Sequence, residues 1–151
     1  MKVMITTSQS MFIQLAQQKL QEALYKLTKP RLQVIEYFAN HTKAVSPYDI
    51  AKDQSDLDVV SIYRTIEILE SLGLVHKIWS LGWYVRCDLS ENHCQSDCCH
   101  EFQVCTQCHE YNEIHWHHKH SSGTSSTFAT KQHISEQLGL CEKCNKTAVL
   151  Q

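Results

Sequence analysis

The sequence lacks a long apolar run, a signal peptide and a strongly basic composition. No apolar stretch approaches the length of a membrane-spanning helix, and the amino-terminal MKVMITTSQSMF has neither the apolar core nor the cleavage site of a signal peptide. We therefore expect a cytoplasmic protein with no membrane partner. The formal net charge is -2, so any surface that binds nucleic acid must be local.

Cysteine and histidine are abundant instead, with eight and ten residues. Cys105 and Cys108 form one CxxC pair, and Cys141 and Cys144 form a second. Each pair is a short turn that aims two thiolates at one ion, so the two pairs predict a tetrahedral structural zinc site. In the cytosol, eight cysteines favour metal binding over disulfides. Two disulfides or a redox-active CxxC remain the alternatives.

A second group of metal-ligand residues surrounds the first pair. Its members are His76, Cys87, His93, Cys94, Cys98, Cys99, His100 and Glu113. Seven of them are Cys or His and are surplus to a closed four-thiolate site. The excess predicts a second, more exchangeable metal site.

The amino-terminal half has the pattern of helices followed by a β-hairpin. Apolar spacing predicts helices over residues 8–27, 28–41, 46–53 and 58–72, and strands over 74–79 and 83–87. Thr28 predicts the cap of the second helix, and Ser46, with Pro47 and Asp49, predicts a capping box for the third. Asp56 or Asp58 predicts the start of the fourth helix, and Gly73 predicts its end. This order is typical of a winged helix-turn-helix, in which the last helix enters the major groove. A helical bundle with an accessory hairpin is the alternative.

The carboxy-terminal half is patterned differently. Residues 88–100 are polar and rich in Cys and His, which indicates a hinge, and residues 102–104 and 111–115 predict short strands. Residues 117–127 read as a loop, whereas 128–140 fit either a strand or a short helix. We therefore expect a winged-helix domain over 1–87, a hinge over 88–100 and a zinc-binding domain over 101–151.

Several motifs in this order resemble the ferric uptake regulator (Fur) superfamily and, within it, the zinc uptake regulators. They are Thr28-Lys29-Pro30-Arg31, Ser46-Pro47-Tyr48-Asp49-Ile50, Ser61-Ile62-Tyr63-Arg64-Thr65, Gly73-Leu74-Val75-His76-Lys77, Tyr84-Val85-Arg86-Cys87 and the two CxxC pairs. The resemblance runs from about residue 10 to the end. It implies an α+β protein, with an amino-terminal winged helix-turn-helix that binds DNA. It also implies a small carboxy-terminal α/β dimerisation domain with a four-cysteine zinc site.

The resemblance also implies a regulatory zinc at the hinge. His76, Cys87 and Glu113 match three ligand positions of the zinc-sensing branch. His93 is the preferred fourth ligand because it keeps a set of two nitrogens, one sulfur and one oxygen; Cys98 and His100 are the alternates. The remaining histidines offer a candidate third metal site at His115, His117, His118 and His133; a solvated loop with incidental metal affinity is the alternative.

DNA contacts are expected from the predicted helix over 58–72, which we call the reading helix, and from the helix before it. Arg64 suits a bidentate contact to guanine and Tyr63 an apolar contact to a thymine methyl, while Tyr48 resembles a base- or phosphate-contacting tyrosine of the family. Ser61 and Thr65 suit phosphates. Core packing of Tyr63, an ion pair of Arg64 with Glu67 or Glu70, and capping by the two hydroxyl residues are the alternatives.

The predicted function is a homodimeric, zinc-responsive repressor of metal uptake genes that binds palindromic double-stranded DNA operators with Zn²⁺ as co-repressor. An iron- or peroxide-responsive regulator of the same family is the alternative, as is a variant whose Cys94, Cys98 and Cys99 form a thiol redox switch. No nucleophile–base set, phosphate loop or deaminase signature occurs, so we expect neither an enzyme nor a small-molecule substrate. The operator sequence and target genes cannot be read from the chain.

Overall fold

The computed structural model describes residues 7–87, 99–115 and 133–148, without the side chains of 99, 100, 115, 133, 134 and 148. Its elements are, in chain order, α1 (Thr7–Glu22), α2 (Lys29–Asn40), α3 (Pro47–Asp53), α4 (Val59–Ser71), β1 (Val75–Ile78), β2 (Trp83–Arg86), β3 (Cys99–Cys105), β4 (Tyr111–His115), β5 (His133–Gly139) and α5 (Glu142–Ala148). The chain divides into two compact units. The first comprises residues 1–77 and 82–92, and the second comprises 78–81 and 93–151.

The core of the first unit is apolar and draws on α1, α2, α3 and α4. Residues spaced by three or four positions face inward, as the helical periodicity predicts. The buried members are Phe12, Ala16, Leu20, Val34, Ile35, Tyr37, Phe38, Ala39, Val45, Ile50, Leu57, Ile62, Ile66, Leu69, Leu74, Val75 and Tyr84. Each fully buried large apolar side chain contributes about 1.5–3 kcal/mol, so burial in this core is a major source of the unit's stability.

Two helix starts confirm the caps expected from the sequence. At α3 the Asp49 backbone N–H donates to Ser46 Oγ at 3.1 Å, and the Ser46 N–H donates back to the Asp49 carboxylate at 3.0 Å. At α4 the Ser61 N–H donates to Asp58 at 2.9 Å, and the Ser61 hydroxyl donates to the same carboxylate at 2.6 Å. Thr28 occupies the cap position of α2 but its side chain makes no capping bond.

The helix over 8–27 is shorter than expected, because α1 ends at Glu22. Leu24 adopts a left-handed backbone with φ of 60°, and the Tyr25 N–H donates to the Leu20 carbonyl at 2.8 Å. Gly73 ends α4 with φ of 69° and the same bonding pattern, which is a Schellman motif. Leu24 therefore leaves the expected apolar stripe and is 92% exposed.

A β-hairpin follows α4, as expected. Strands β1 and β2 are joined through residues 79–82, where Gly82 has φ of 67°. The ladder continues past both strands, because the Cys87 N–H donates to the Leu74 carbonyl at 2.9 Å. Arg86 anchors β2 to the helices: its guanidinium donates to the Ala39 carbonyl at the end of α2 at 2.8 Å.

The second unit contains a three-stranded sheet in the order β4-β3-β5. Strand β3 pairs antiparallel with β4 and parallel with β5. The ambiguity over 128–140 is resolved in favour of a strand for 133–139, while 128–132 lie outside the described residues. Helix α5 was not expected, because its seven residues carry no apolar stripe.

Four helices followed by a hairpin, and then a small sheet with a helix, confirm the predicted α+β class. In the described part of the chain, no helix has the length and apolar character needed to cross a membrane.

Candidate metal centre and nucleic-acid interface

The four predicted zinc ligands meet in one cluster. The sulfur atoms of Cys105, Cys108, Cys141 and Cys144 all lie within 4.8 Å of one another, and we call these residues the thiol cluster. All four are free thiols, so the alternative of two disulfides is not adopted there. The sulfurs of Cys108 and Cys141 are 3.6 Å apart, close to the roughly 3.8 Å separation of two sulfurs around tetrahedral zinc with bonds of about 2.3 Å.

Backbone hydrogen bonds hold the first pair in its turn. Cys105 ends β3, and its N–H donates to the Glu110 carbonyl at 2.8 Å. The His109 N–H donates to the Cys105 carbonyl at 3.0 Å, and His109 has φ of 61°, a conformation that glycine adopts more readily. The turn is thus closed on both sides and directs its two sulfurs to the same point.

The second pair depends on α5. Cys141 immediately precedes this helix and Cys144 lies in its first turn, while the Asn145 N–H donates to the Cys141 carbonyl at 2.9 Å. The Thr106 N–H donates to the Gly139 carbonyl at 2.8 Å, which ties the end of β5 to the first turn. Helix α5 and the bond to Gly139 together place Cys141 and Cys144 close to the first CxxC pair.

The environment of the cluster favours thiolate at one sulfur. Backbone N–H groups of Cys108 and Cys141 donate to Cys105 and lower its pKa to about 6. The pKa of Cys144 rises to about 12, because hydrogen bonds with the sulfurs of Cys141 and Cys108 favour its protonated form. Hydrogen bonds thus link sulfur atoms that would together bind a divalent cation. Four convergent thiols with backbone donors fit Zn²⁺, for which thiolate is a preferred ligand.

Two predicted regulatory ligands lie on the hairpin. His76 and Cys87 are each 1% exposed. Because Cys87 pairs with Leu74 and side chains alternate along a strand, His76 and Cys87 occupy diagonal positions on one face of the hairpin. Cys87 is disulfide-bonded, so its sulfur must be reduced before it can bind a metal as thiolate.

The other proposed regulatory ligands are distributed over both described and undescribed residues. Glu113 lies in β4 opposite Phe102 and is half-buried. His93 and Cys98 lie outside the described residues. His100 lies in β3, but its side chain is not described.

Backbone register gathers three histidines at one end of the sheet. His100 lies opposite His115, and His133 lies opposite Cys99. His117 and His118, the other members of the candidate third site, lie outside the described residues. The candidate third site stays a prediction.

The candidate DNA-contacting residues occupy different faces of α3 and α4. Tyr48 is 66% exposed and meets the half-buried Tyr63 edge-to-face with ring centroids 6.5 Å apart. Arg64 is exposed, and among the described residues it forms no ion pair with Glu67 or Glu70. Its guanidinium is therefore available to a partner.

Ser61 and Thr65 are engaged within the protein. Ser61 caps α4 together with Asp58. Thr65 is 4% exposed, and its hydroxyl donates to the Ser61 carbonyl at 2.9 Å. Burial thus favours packing over phosphate contact at Thr65. Val60, which the sequence reasoning did not single out, is 57% exposed one turn before Arg64; its position opposite the apolar stripe is the signal that could have identified it.

One unit has the winged-helix fold of DNA-binding proteins, and the other has a four-thiol centre that fits zinc. Together they indicate the class of DNA-binding metalloproteins. The chain belongs to the ferric uptake regulator family, whose family model matches residues 22–134. The resemblance stated from the sequence is thereby confirmed.

Relatives named for zinc uptake regulation are similar over most of the chain. The zinc uptake regulation protein of Escherichia coli (strain K12) is 26% identical over 147 residues, covering 92% of this chain and 84% of that protein. A solved zinc uptake regulator complexed with zinc and DNA has a TM-score of 0.71 at 23% identity and covers 95% of this chain and 99% of its own. The holo form of XcZur has a TM-score of 0.66 at 26% identity, covering 90% and 98%.

Proposed function

We propose that this protein is a homodimeric, zinc-responsive transcriptional repressor that binds palindromic operators of zinc uptake genes with Zn²⁺ as co-repressor. Its similarity to a zinc uptake regulator solved with zinc and DNA supports this function. The observation that carries it is the pair of buried residues His76 and Cys87 on one face of the hairpin that follows α4. His76 lies in β1 and Cys87 directly after β2, and once the Cys87 disulfide is reduced they offer the imidazole and the thiolate that zinc prefers.

The two proposed zinc ions have different roles. Zinc in the thiol cluster is structural and stabilises a dimerisation domain over 101–151, which a hinge over 88–100 connects to the DNA-binding domain over 1–87. The regulatory zinc takes His76, Cys87, His93 and Glu113, with Cys98 and His100 as alternates for the fourth ligand. A mixed set of nitrogen, sulfur and oxygen favours Zn²⁺ over Fe²⁺ or Mn²⁺, because thiolate is a soft ligand.

Zinc acts by changing which conformation the dimer adopts. A single winged helix binds duplex DNA mainly through phosphates, whereas a two-fold dimer reads two half-sites when its reading helices have the correct spacing. A regulatory ion that binds the correctly spaced form preferentially shifts the population towards it. A shift from mostly open to mostly closed needs roughly 5 kcal/mol, which is less than the roughly 10–16 kcal/mol that structural zinc sites supply.

The reading helix supplies sequence recognition. Arg64 donates two hydrogen bonds to guanine, and Tyr63 and Tyr48 contribute apolar or phosphate contacts beside it. The chain carries a net charge of -2, so these contacts depend on locally placed basic residues. Binding should weaken as salt rises, because phosphate contacts release counterions.

The test compares wild type, Cys87→Ser and Cys105→Ser by zinc content and operator binding under reducing conditions. Cys87→Ser should stay dimeric with one zinc fewer per chain and should lose tight operator binding. Cys105→Ser should lose folding of the sheet or dimerisation. Normal operator binding by Cys87→Ser without added zinc would show that the sensing assignment is wrong.

The disulfide of Cys87 favours a second candidate function, redox control of the same repressor. Two thiols, one of them Cys87, would give two electrons and two protons to a peroxide, which is reduced to water, and the resulting disulfide would exclude the regulatory zinc. Zinc content before and after mild peroxide treatment separates the two functions. A pure zinc sensor should retain its zinc.

We also propose a cytoplasmic location and no enzymatic activity. A reducing compartment keeps the thiols of the cluster available to zinc. The four-thiol site is closed, with no open coordination position for a substrate or an activated water. Family membership supports a regulator in preference to an enzyme.

A further inference from the structure

Helix α4 has one exposed large apolar side chain, that of Val60. Its buried residues Ile62, Thr65, Ile66 and Leu69 define the inner side. At 100° per residue, Val60 lies 180° from Leu69, so it is at the centre of the outer side. It is 57% exposed and is not among the residues of the apolar core.

Val60 and Arg64 are neighbours on this outer side. Residues four apart in a helix have Cβ atoms about 5–6 Å apart. Base pairs rise about 3.4 Å along each strand, so the two side chains can contact bases one or two pairs apart. Glu67 follows on the same exposed side, and its charge disfavours phosphate contact there. Contact with DNA is therefore centred on the first two turns of α4, where reading helices touch base edges.

The chemistry of valine selects one feature of the major groove. Its two methyl groups can neither donate nor accept hydrogen bonds, and the C5-methyl of thymine is the apolar group that bases display there. Tyr63, the residue expected to contact a thymine methyl, is half-buried against Tyr48. Val60 is the more exposed apolar candidate and comes earlier in the helix.

We propose that Val60 is a specificity-determining residue whose methyl groups contact the C5-methyl of a thymine one or two base pairs from the guanine held by Arg64. This inference rests on the proposed operator binding and adds a base that the site reads. It assigns recognition of that thymine to a residue distinct from Tyr63 and Arg64.

The test uses uracil, which differs from thymine only by the missing methyl. The full-length protein, loaded with zinc, first selects its preferred duplexes from a random DNA pool. Each thymine of the selected half-site is then replaced by deoxyuridine, and dissociation constants are measured for wild type and Val60→Ala. Loss of one methyl contact corresponds to about 0.8 kcal/mol. We therefore expect about fourfold weaker wild-type binding at one thymine and no change there for Val60→Ala.

Two further variants separate this contact from general effects. Alanine is a better helix former than valine, so Val60→Ala should keep α4 folded, and thermal unfolding checks this. Met11→Ala is the matched control, because Met11 is 54% exposed but lies on α1; it should bind every duplex as wild type does. At the thymine whose replacement by deoxyuridine does not change binding by Val60→Ala, the same replacement should still weaken binding by Tyr63→Ala.

The inference is overturned if Val60→Ala binds the selected duplex as tightly as wild type, or if every uracil that weakens wild type weakens Val60→Ala equally. A selection that enriches no sequence overturns the proposed function together with this inference. If the selection enriches a palindrome, but every deoxyuridine that weakens wild-type binding also weakens binding by Val60→Ala, the inference alone is overturned.

Discussion

The two units of the chain are stabilised by different means. The first unit buries seventeen core residues contributed by helices and hairpin. In the described parts of β3, β4 and β5, the side chains buried to the same degree are Phe102, Val104 and Cys105. One of these three is itself a member of the thiol cluster.

The difference shows why the cysteines are concentrated where they are. A unit with a large apolar core depends less on a metal ion, whereas a small sheet with few buried side chains needs another source of stability. We propose that zinc held by the thiol cluster provides it, because one ion would link the turn after β3 to the segment after β5. We therefore expect the second unit to depend on a metal ion for its stability and the first unit not to.

Removal of one cluster thiol should have the largest effect. Structural zinc contributes about 10–16 kcal/mol to folding, so Cys105→Ser should unfold the sheet while α1 to α4 remain folded. Hydrogen exchange, resolved by peptide, checks this: exchange should accelerate across β3, β4, β5 and α5 but not across α1 to α4. Cys87→Ser, which removes a cysteine outside the cluster, should leave the sheet protected. Retained protection in Cys105→Ser would contradict a metal-dependent unit.

Acid should separate the two units. Zinc requires thiolates, so protons displace it as the pH falls, and the sheet should lose its metal first. In the first unit, Ser46 and Ser61 hydrogen bonds hold the pKa values of Asp49 and Asp58 below 3.8. A carboxyl whose pKa is lowered in the folded protein stabilises the fold above about pH 3.8, the pKa of the unfolded chain. That stabilisation is lost as the pH falls through the lowered pKa of the folded protein. Burial raises the pKa of Glu70, which acts in the opposite direction.

We therefore expect zinc release at a higher pH than the loss of helical signal. A colorimetric zinc indicator and far-ultraviolet circular dichroism, followed from pH 7 downwards, measure the two events in one sample. Coincident transitions would mean that the units do not have separate sources of stability.

Truncation in the core of the first unit should come next. Phe38 is completely buried, so Phe38→Ala should lower the free energy of unfolding by about 3–5 kcal/mol without loss of structural zinc. Leu24→Ala is the control, since Leu24 is 92% exposed, and should change that free energy by less than about 0.5 kcal/mol. Urea denaturation followed by helical signal checks both; equal effects would refute the assignment of the core.

Loss of a single cap should have the smallest effect. Ser46→Ala removes the capping box of α3 and should cost about 1 kcal/mol. Thr28→Ala is the matched control, because Thr28 occupies a cap position without making the capping bond. The same urea measurement should rank Ser46→Ala clearly above Thr28→Ala. Equal costs would show that the capping bond contributes little.

Local signals allowed much of the fold to be predicted. Ser46, Asp58 and Gly73 mark helix boundaries through contacts within a few residues, and all three were found where expected. Leu24 closes α1 in the same way as Gly73 closes α4, but a leucine gives no sequence signal for a left-handed backbone. The helix was therefore extended too far.

Non-local pairing set the limit in the second unit. The parallel pairing of β3 with β5 joins residues such as Gln103 and Gln137, which are far apart in sequence, so a local pattern could not distinguish strand from helix. The thiol cluster could be predicted because each CxxC pair is a local turn. The burial of Thr65 and the exposure of Val60 depend on how α4 packs, which the motif spacing does not specify.

We propose that an exchangeable zinc, bound through reduced Cys87, controls DNA recognition. The most direct measurement is the dissociation constant of the reduced wild-type dimer for its selected operator, before and after a mild chelator removes one zinc per chain and after zinc is restored. The account predicts a large loss of affinity on removal, with the dimer intact, and full recovery on restoration. Unchanged affinity after that zinc has left would contradict it.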